Sequence, residues 1–470
     1  MSEPLWTARR AMAATGGMLV GDTGWTCSGI SIDSRTIQSG DLFVALKDER
    51  DGHDYAAAAM KAGAAACLIS RSDLALEPAL QVKDTLAALR SLGEAARDRC
   101  DAIRVAVTGS VGKTTVKDAL AAVFRAAGPA HWSVKSYNNH WGVPLTLARM
   151  PRDTQRAVFE MGMNHAGEIR DLSSMVRPHV AMITRIAPAH LENLGSVEAI
   201  ADAKAEIYEG LETDGVAIYP ADDPQAVRLA RHARHSGAAF MLDFGTAKDA
   251  AIRIESFETG LDGSRGIANV LGMRVPFSVK ASGMHWAWNI AAIFAASAGA
   301  GLDAGDVAEA LAGLEAGAGR GRVLTLAHPA GGSFTLLDDA YNANPVSMAA
   351  AIAALGAARP GEGGRRIAVL GDMLELGPDE VAMHAALAEP LEAAGVDEVY
   401  TCGSRMRSLH DALPATRRAG YAANAEEGLD LIRAAIRPGD VVLVKGSNAS
   451  GLHRIAAHLA DGSALGLTEA

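Results

Sequence analysis

The hydrophobic positions of this chain form short apolar runs separated by alanine-rich segments of helical length. This alternation is typical of parallel sheets covered by helices. Between about residues 30 and 100 it predicts a small α/β module, with strands at 41–46 and 65–69 around a helix at 55–63. Longer runs predict two further groups of strands, at 105–108, 157–160, 180–184 and 216–219, and then at 334–338, 367–370, 398–401 and 441–444.

This order of elements predicts an α/β fold of three domains, which also suits a length of 470 residues. A glycine- and arginine-rich stretch at 317–322 is interpreted as a hinge, so the domains are placed at 1–102, 103–318 and 319–470. We expect a small N-terminal α/β domain, a central doubly wound domain and a C-terminal Rossmann-like α/β domain. Short β-like segments at 245–279 precede an alanine-rich helix.

One strand-to-helix junction of the central domain has the pattern of a phosphate-binding loop. Its residues are Gly109, Ser110, Val111, Gly112, Lys113, Thr114 and Thr115. Backbone N–H groups and the helix N-terminus can hold a phosphate there, to which Lys113 adds a charge and Thr114 a hydroxyl ligand for Mg²⁺. Val107 stands where the full pattern has glycine, so this is a shorter variant. We predict a site for ATP or GTP; the alternative is a glycine-rich turn with an unrelated lysine.

Three residues beyond this loop are candidates for metal binding. Ligands of doubly wound sheets bind at the carboxyl ends of strands, where Glu160 ends one apolar run and His190 follows another. Lys204, in a helix predicted at 197–210, has no acidic residue three or four positions away with which to form an ion pair. A solvated glutamate, a structural histidine and a solvated lysine are the alternatives at these positions.

Polar stretches elsewhere suggest further contacts. The turns at 31–35 and 51–54 offer hydroxyl, guanidinium and imidazole groups, although ordinary solvated loops have the same composition. The stretch 282–289 places tryptophan and asparagine at a helix start, which suits either a nucleobase or a packed core. Three strand endings in the third domain, at 338–345, 371–375 and 445–448, predict a second site that faces the first.

Charge and cysteine content exclude some classes of protein. A net charge of −11 gives no general attraction to nucleic acid, which is therefore not an expected partner. No apolar run has the length of a membrane span, and we expect no stable membrane insertion. The cysteines lie far apart without metal-binding spacing, which favours a cytoplasmic protein; they are Cys27, Cys67, Cys100 and Cys402. We expect a monomer.

These residues together resemble the ATP-dependent Mur ligases of bacterial peptidoglycan synthesis. The resemblance covers nearly the whole chain and rests on the motifs at 33–35, 40–46, 108–115, 339–345, 369–377 and 445–447. It implies a UDP-sugar-binding domain, a central ATPase domain and a C-terminal domain that closes on ATP and the amine. The implied reaction phosphorylates the carboxylate of UDP-N-acetylmuramoyl-tripeptide and joins it to the amine of D-alanyl-D-alanine.

The resemblance also implies roles for single residues. Lys113, Glu160, His190 and Lys204 would be catalytic, with Thr114, Glu160, His190 and Lys204 on two Mg²⁺ ions and Lys204 carbamoylated. Nucleotide contacts are implied for the loop residues and for Asn289, Arg320, Asp339 and Asn342. Substrate contacts are implied for Ser34, Arg35, His53, Ser136, Asn138 and Asn139.

The chain departs from the family pattern at Arg185, Trp286 and Asn448. The first two leave the implied metal set intact, whereas Asn448 replaces an arginine and leaves the amine-binding residues open. The alternatives to the implied reaction are a sister ligase that adds a single amino acid and a nucleotide-binding protein without catalysis. A second metal site would distinguish a ligase from a mere binder.

Overall fold

The computed structural model describes residues 3–134, 136–189 and 191–462, which form three main sheets and a short two-stranded ribbon. The three sheets follow one another along the chain, as the alternating pattern predicts. No helix in these ranges is both long and apolar enough to cross a membrane.

The first sheet contains five strands in the order β2-β7-β6-β5-β4, and only β2 is antiparallel to its neighbour. The elements are β1 (Trp6–Thr7), α1 (Ala8–Thr15), β2 (Met18–Val20), β3 (Thr26–Cys27), β4 (Gly29–Ser31), β5 (Asp41–Val44), α2 (Ala56–Lys61), β6 (Ala66–Ile69), β7 (Ala79–Gln81) and α3 (Thr85–Asp98). The polar turns predicted at 31–35 and 51–54 overlap 3₁₀ turns at Ser34–Thr36 and Gly52–Tyr55.

The second sheet contains nine strands in the order β16-β15-β14-β13-β12-β11-β8-β10-β9. Its strands are β8 (Ile103–Thr108), β9 (Ala130–Trp132), β10 (Arg156–Glu160), β11 (Val180–Ile183), β12 (Val216–Pro220), β13 (Phe240–Gly245), β14 (Ile252–Gly260), β15 (Gly263–Val270) and β16 (Met273–Val279). Its helices are α4 (Lys113–Ala127), α5 (Gly142–Ala148), α6 (Glu168–Val176), α7 (Leu191–Leu194), α8 (Val197–Ala205), α9 (Ala226–His235), α10 (His285–Gly299) and α11 (Ala304–Ala312). Strands β8 to β14 pair in parallel, and β14, β15 and β16 form an antiparallel extension.

The third sheet contains six strands in the order β17-β18-β22-β19-β20-β21, with β17 antiparallel to β18 and the others parallel. Its strands are β17 (Arg322–Ala327), β18 (Ser333–Asp338), β19 (Arg366–Gly371), β20 (Glu398–Cys402), β21 (Arg418–Ala422) and β22 (Val441–Lys445). Its helices are α12 (Pro345–Ala357), α13 (Glu380–Ala385), α14 (Ala388–Ala393), α15 (Arg407–Ala412), α16 (Ala425–Ala435) and α17 (Leu452–Ala460). Further 3₁₀ turns lie at Glu206–Gly210, Gly377–Asp379 and Asn448–Ser450.

The central sheet has a hydrophobic core on each face. Successive residues of a strand point to opposite faces, so Val105 and Val107 pack with Phe124 and Ile290 of α4 and α10, whereas Ala106 packs on the other side. Because both faces are covered by helices, the strands read as continuous apolar runs. This is why the sequence pattern located them.

The predicted strands of the central and C-terminal sheets are confirmed within about two residues of each end. Some features differ from the prediction. The helix expected at 197–210 ends as α-helix at Ala205 and continues as a 3₁₀ turn, and the segments at 245–279 contain three long strands of the central sheet. Strands β9, β13, β17 and β21 were not predicted.

Candidate active site

The candidate loop lies at the topological switch point of the central sheet. Strand β8 pairs with β10 on one side and β11 on the other, so the chain diverges to both sides of the loop that follows Thr108. Ligands of doubly wound sheets bind in the crevice at such a point. Glu160 ends β10 and Thr184 follows β11, which brings both beside the loop.

The loop approaches its neighbours so closely that two positions require glycine. Gly109 has φ +149°, and a Cβ atom there would lie 2.0 Å from Oγ1 of Thr184. Gly112 has φ +89°, and a Cβ atom there would lie 2.8 Å from Oδ1 of Asn289. The positive φ values and the absence of side chains let the backbone turn directly into α4.

Hydrogen bonds to β11 hold the loop in this shape. Oγ1 of Thr184 donates to the carbonyl of Val111 at 2.6 Å, and the N–H of Ser110 donates to the carbonyl of Arg185 at 2.7 Å. The ammonium of Lys113 donates to the carbonyl of Gly109 at 2.7 Å. The hydroxyl of Ser110 is buried without a partner in the described part of the chain. The N-terminus of α4 therefore presents a pre-formed anion site.

Glu160 has one carboxylate oxygen that is satisfied and one that is not. Oε1 accepts a hydrogen bond from Nδ2 of Asn138 at 2.8 Å, whereas Oε2 is buried with no partner among the described residues. A buried polar atom without a partner is costly, so this oxygen is suited to accept a cation or a hydrogen-bond donor. Burial lowers the pKa of Lys113, and the negative charge of Glu160 opposes that shift.

Lys204 lies on α8 with only 1% of its surface exposed. No hydrogen bond or ion pair joins its ammonium to another described residue. Burial, followed by the charge of Lys113, lowers the pKa of Lys204 well below its usual value. The structure thus excludes a solvated surface lysine and places Lys204 in a buried setting that disfavours its charged form.

His190 lies outside the described residues, so its predicted metal role is not tested by the geometry. Within the described ranges, no group of three or more histidine, cysteine, aspartate or glutamate side chains is arranged to hold a metal ion. A metal site here would therefore depend on Glu160 together with Thr114, His190 and a modified Lys204.

The three polar strand endings of the C-terminal sheet meet at one edge, because β22 lies between β18 and β19. The ammonium of Lys445 donates to Oδ2 of Asp339 at 2.7 Å and to the carbonyl of Asn342 at 2.9 Å. The N–H of Ser447 donates to the carbonyl of Asp372 at 3.1 Å. Close to this edge, the guanidinium of Arg320 lies 4.1 Å above the ring of Tyr341, and the charge of Arg320 acts on Lys113 of the phosphate-binding loop.

Models of Mur ligase domains match three stretches of the chain. They are described as the Mur ligase family catalytic domain at residues 26–99, the Mur ligase middle domain at 107–297, and the Mur ligase glutamate ligase domain at 319–448. The middle-domain match contains the phosphate-binding loop, Glu160 and Lys204.

Relatives that match over most of their length also indicate a Mur ligase. The chain is 40% identical to the UDP-N-acetylmuramoyl-tripeptide–D-alanyl-D-alanine ligase of Escherichia coli strain K12, over 82% of this chain and 84% of the relative. It is 34% identical to the ligase of the same name from Bacillus subtilis strain 168, over 91% and 92% of the two chains. The chain belongs to the Mur ligase family. It is therefore an ATP-dependent ligase.

A solved structure supports the fold of this Mur ligase over its whole length. The crystal structure of MurF from Acinetobacter baumannii superposes with a TM-score of 0.84 at 29% identity, covering 98% of this chain and 99% of that one. The α/β class and the arrangement of sheets predicted from the sequence are thereby confirmed.

The two N-terminal turns of the Mur ligase differ in how far their candidate side chains are exposed. The side chain of Arg35 is 86% exposed and pairs with Asp33 at 2.7 Å beside Ser34, so its guanidinium is accessible. His53 is buried: Nδ1 lies 2.6 Å from Asp51, and Nε2 accepts the N–H of Ser70 at 2.9 Å. Both ring nitrogens of His53 are used inside the chain, which supports a role in shaping this turn rather than direct substrate contact.

The loop at 136–139 of the Mur ligase connects several parts of the site. Ser136 hydrogen-bonds to Tyr341 across the two sheets, and Asn138 holds Glu160. Oδ1 of Asn139 accepts the N–H of Gly142 at 2.9 Å at the start of α5. The sequence suggested this loop only through resemblance, and it gave no sign that Tyr341 contacts it.

The start of α10 resolves the open question about its tryptophans. Trp286 is buried in the core, so packing is the correct interpretation for that residue. Trp288 instead donates from Nε1 to Asp222 at 3.0 Å, and the guanidinium of Arg185 lies 4.9 Å above its ring. Asn289 lies against Gly112 of the phosphate-binding loop, where a nucleotide contact is geometrically possible.

Proposed function

We propose that this Mur ligase joins the amine of D-alanyl-D-alanine to UDP-N-acetylmuramoyl-tripeptide, with ATP converted to ADP and phosphate. The product is UDP-N-acetylmuramoyl-pentapeptide. The names of relatives that match over most of both chains support this substrate pair. The observation that carries the chemistry is that Lys113 lies close to both Glu160, which has an unpaired buried oxygen, and buried Lys204.

The reaction requires two anions to meet. The free carboxylate of the tripeptide attacks the γ-phosphorus of ATP, which gives an acyl phosphate and ADP. The uncharged amine then attacks the acyl carbon and loses one proton, and the C–O bond to phosphate breaks as the amide forms. The N–H groups of the loop and the ammonium of Lys113 hold the phosphates in line and offset the repulsion between carboxylate and phosphate.

Mg²⁺ fits the donors that surround this point. Thr114 and Glu160 would hold one ion, and Glu160, His190 and Lys204 a second. When bound, Mg²⁺ neutralises phosphate charge and orients the transferred group. The unpaired Oε2 of Glu160 is the local observation that favours a cation, since a buried carboxylate oxygen needs one or a donor.

Lys204 suits this metal role only after carbamoylation. Its neutral amine can attack CO₂, forming an N–C bond and losing one proton, which leaves an anionic carbamate. Burial and the charge of Lys113 favour the neutral amine, because both lower its pKa. The carbamate oxygens are hard ligands of the kind that Mg²⁺ prefers, whereas an ammonium would repel the ion.

The nucleotide and the acyl substrate are assigned to different sets of residues. Asn289 would contact adenine, Asn342 the ribose side, and Arg320 and Asp339 the phosphates and the closing hinge. The substrate contacts assigned are Ser34, Arg35, Ser136, Asn138 and Asn139, with His53 shaping the turn. The domain boundaries of this proposal are 1–102, 103–318 and 319–470.

We also propose that the protein is a cytoplasmic monomer that binds no nucleic acid. All four cysteines are free and buried, which suits a reducing compartment. A net charge of −11 gives no general attraction to nucleic acid. Sedimentation of the purified chain tests the monomer.

The decisive experiment varies the amine. With ATP, Mg²⁺ and a UDP-muramoyl-tripeptide, phosphate release is expected with D-alanyl-D-alanine and only weakly with D-alanine, L-lysine or glutamate. A site that satisfies the extra amide of a dipeptide leaves its own polar atoms unpaired when a single amino acid binds. Product mass identifies the amide formed. A single amino acid as the best substrate would indicate a sister ligase, and no turnover with any amine would indicate a binding protein.

A further inference from the structure

A hydrogen bond between the hydroxyls of Ser136 and Tyr341 joins a loop of the central domain to a loop of the C-terminal domain. Ser136 lies in the loop between β9 and α5 to which the acyl substrate is assigned. Tyr341 follows β18 of the C-terminal sheet, two residues after Asp339. The contact therefore joins the loop assigned to the acyl substrate to the polar strand ends of the C-terminal sheet.

The ring of Tyr341 also fixes the position of a cation. The guanidinium of Arg320 lies 4.1 Å above that ring, a cation–π arrangement. The N–H of Tyr341 donates to the carbonyl of Gly319 at 3.1 Å, and a Cβ atom on Gly319 would lie only 3.0 Å from Cβ of Tyr341. The backbone before Arg320 is thus packed against Tyr341, so a displacement of Tyr341 would carry Arg320 with it.

Arg320 lies near the phosphate-binding loop, close enough for its charge to act on the ammonium of Lys113. Two cationic side chains beside the N-terminus of α4 favour an anionic ligand such as the phosphates of a nucleotide. The opposite end of the substrate loop reaches the same region through the bond from Asn138 to Glu160.

We propose that Tyr341 is a positioning residue that couples binding of the acyl substrate to binding of the nucleotide. A substrate that orders residues 136–139 holds the Ser136 hydroxyl against Tyr341, and the ring then holds Arg320 toward the phosphates. Each ligand thereby favours the arrangement that the other needs. This inference rests on the proposed function, since it requires both ligands to bind.

A linkage measurement on the full chain tests the coupling without turnover. Calorimetry gives the Kd of UDP-muramoyl-tripeptide with and without a non-hydrolysable ATP analogue and Mg²⁺. For the unaltered protein, the analogue is expected to tighten tripeptide binding by about fivefold or more, which is the usual lower range of allosteric coupling. Tyr341→Phe keeps the ring and its stack but removes the hydroxyl, so its coupling factor is expected to fall close to unity.

Ser136→Ala removes the other hydroxyl of the bond and, with Tyr341→Phe, completes a double-mutant cycle. Because the factor is a ratio of two Kd values, it reports coupling even where the substitution changes tripeptide affinity itself. The double variant is expected to match either single variant, since both remove the same bond. Tyr421→Phe is the matched control: Arg407 lies 4.7 Å above the ring of Tyr421 in the same sheet, away from the site, and the coupling factor is expected to stay as in the unaltered protein.

The outcomes separate this inference from the proposed function. A coupling factor in Tyr341→Phe equal to that of the unaltered protein overturns the inference, as do losses that add in the double variant. If the unaltered protein binds both ligands with a factor of one, the inference alone is wrong. If it binds no UDP-muramoyl-tripeptide, the proposed function is wrong and the inference falls with it.

Discussion

The amide of Asn138 donates to Oε1 of Glu160 at 2.8 Å and leaves Oε2 of that carboxylate as the oxygen without a partner. The hydrogen bond orients the carboxylate so that one oxygen is offered to the site. Residues that orient a metal ligand in this way commonly change metal affinity when they are replaced.

Asn138→Ala should therefore raise the Mg²⁺ concentration needed for half-maximal phosphate release by about tenfold or more. The measurement is a Mg²⁺ titration at saturating ATP and tripeptide. Asn164→Ala, at an exposed position, is the control and should leave the titration unchanged. An unaltered Mg²⁺ requirement in Asn138→Ala would contradict the orientation of Glu160 proposed here.

Lys204→Ala should lose nearly all ligation while the protein stays folded, because the carbamate oxygens disappear from the metal site. A short-chain carboxylate added to the assay should restore part of the rate by supplying oxygen ligands in their place. Lys280→Ala removes an exposed lysine that pairs with Glu315 and should behave as the unaltered protein. Normal turnover in Lys204→Ala would exclude the carbamate.

From the proposed contact of Asn289 with the base, we expect the enzyme to prefer ATP over GTP. An asparagine amide can pair with the N6 and N7 edge of adenine, whereas its donor and acceptor are mismatched at O6 of guanine. Asn289→Ala should weaken nucleotide affinity more than it lowers kcat, as measured by binding of ATP and GTP to each variant. Asn269→Ala, on the antiparallel extension, is the control. Equal use of both nucleotides by the unaltered protein would exclude this role.

Gly109→Ala tests the close approach of the loop to β11. The added Cβ atom would lie 2.0 Å from Oγ1 of Thr184, so the loop must move and nucleotide binding should be lost. Gly237→Ala is a matched control, because Gly237 also has a positive φ, +77°, but has no atom within 4 Å of the added Cβ. It should cost about 1 kcal/mol of stability and leave nucleotide affinity intact. Retained ATP affinity in Gly109→Ala would contradict the assigned loop geometry.

We expect the buried imidazole of His131 to make the folded protein less stable in mild acid. Burial lowers its pKa from 6.5 to about 4 in the folded protein. Between these values the unfolded chain binds a proton that the folded chain does not, so the free energy of unfolding falls as the pH falls. The contribution of this group is about 1.4 kcal/mol for each pH unit in that window.

Urea unfolding at a series of pH values between 4 and 7 measures this dependence. His131→Gln keeps an N–H donor for the carbonyl of Thr146, which lies 2.7 Å from Nε2, but cannot take up the proton. Its stability should depend less steeply on pH than that of the unaltered protein, whereas the exposed control His235→Gln should keep the slope. An equal slope in His131→Gln would show that another group is responsible.

The sequence predicts those parts of the site that depend on local chemistry. The phosphate-binding loop was recognised because its glycines, Lys113 and Thr114 are contiguous, and the strands because their apolar runs are buried on both faces. The orientation of the Glu160 carboxylate depends on its hydrogen bond from Asn138, and the position of Arg320 depends on its stacking against Tyr341. Those relations join residues that are distant in sequence, and hydrophobic periodicity carries no information about them.

Two further features show the same limit. The segments at 245–279 have the alternation of strands, but alternation does not say which sheet a strand joins, and β14 to β16 extend the central one. His53 was interpreted through the type of its side chain, whereas its buried contacts with Asp51 and Ser70 are set by how β5 and β6 bring two loops together.

The division of the site between two sheets has a consequence for how such a ligase can change its substrate. The proposed phosphate-binding groups follow β8, β10 and β11, whereas the polar strand ends of the proposed second site follow β18, β19 and β22. A substitution at the second set leaves the loop at 109–115 and its hydrogen bonds to β11 untouched. The choice of amine can therefore diverge in a lineage while the phosphoryl-transfer machinery is inherited unchanged.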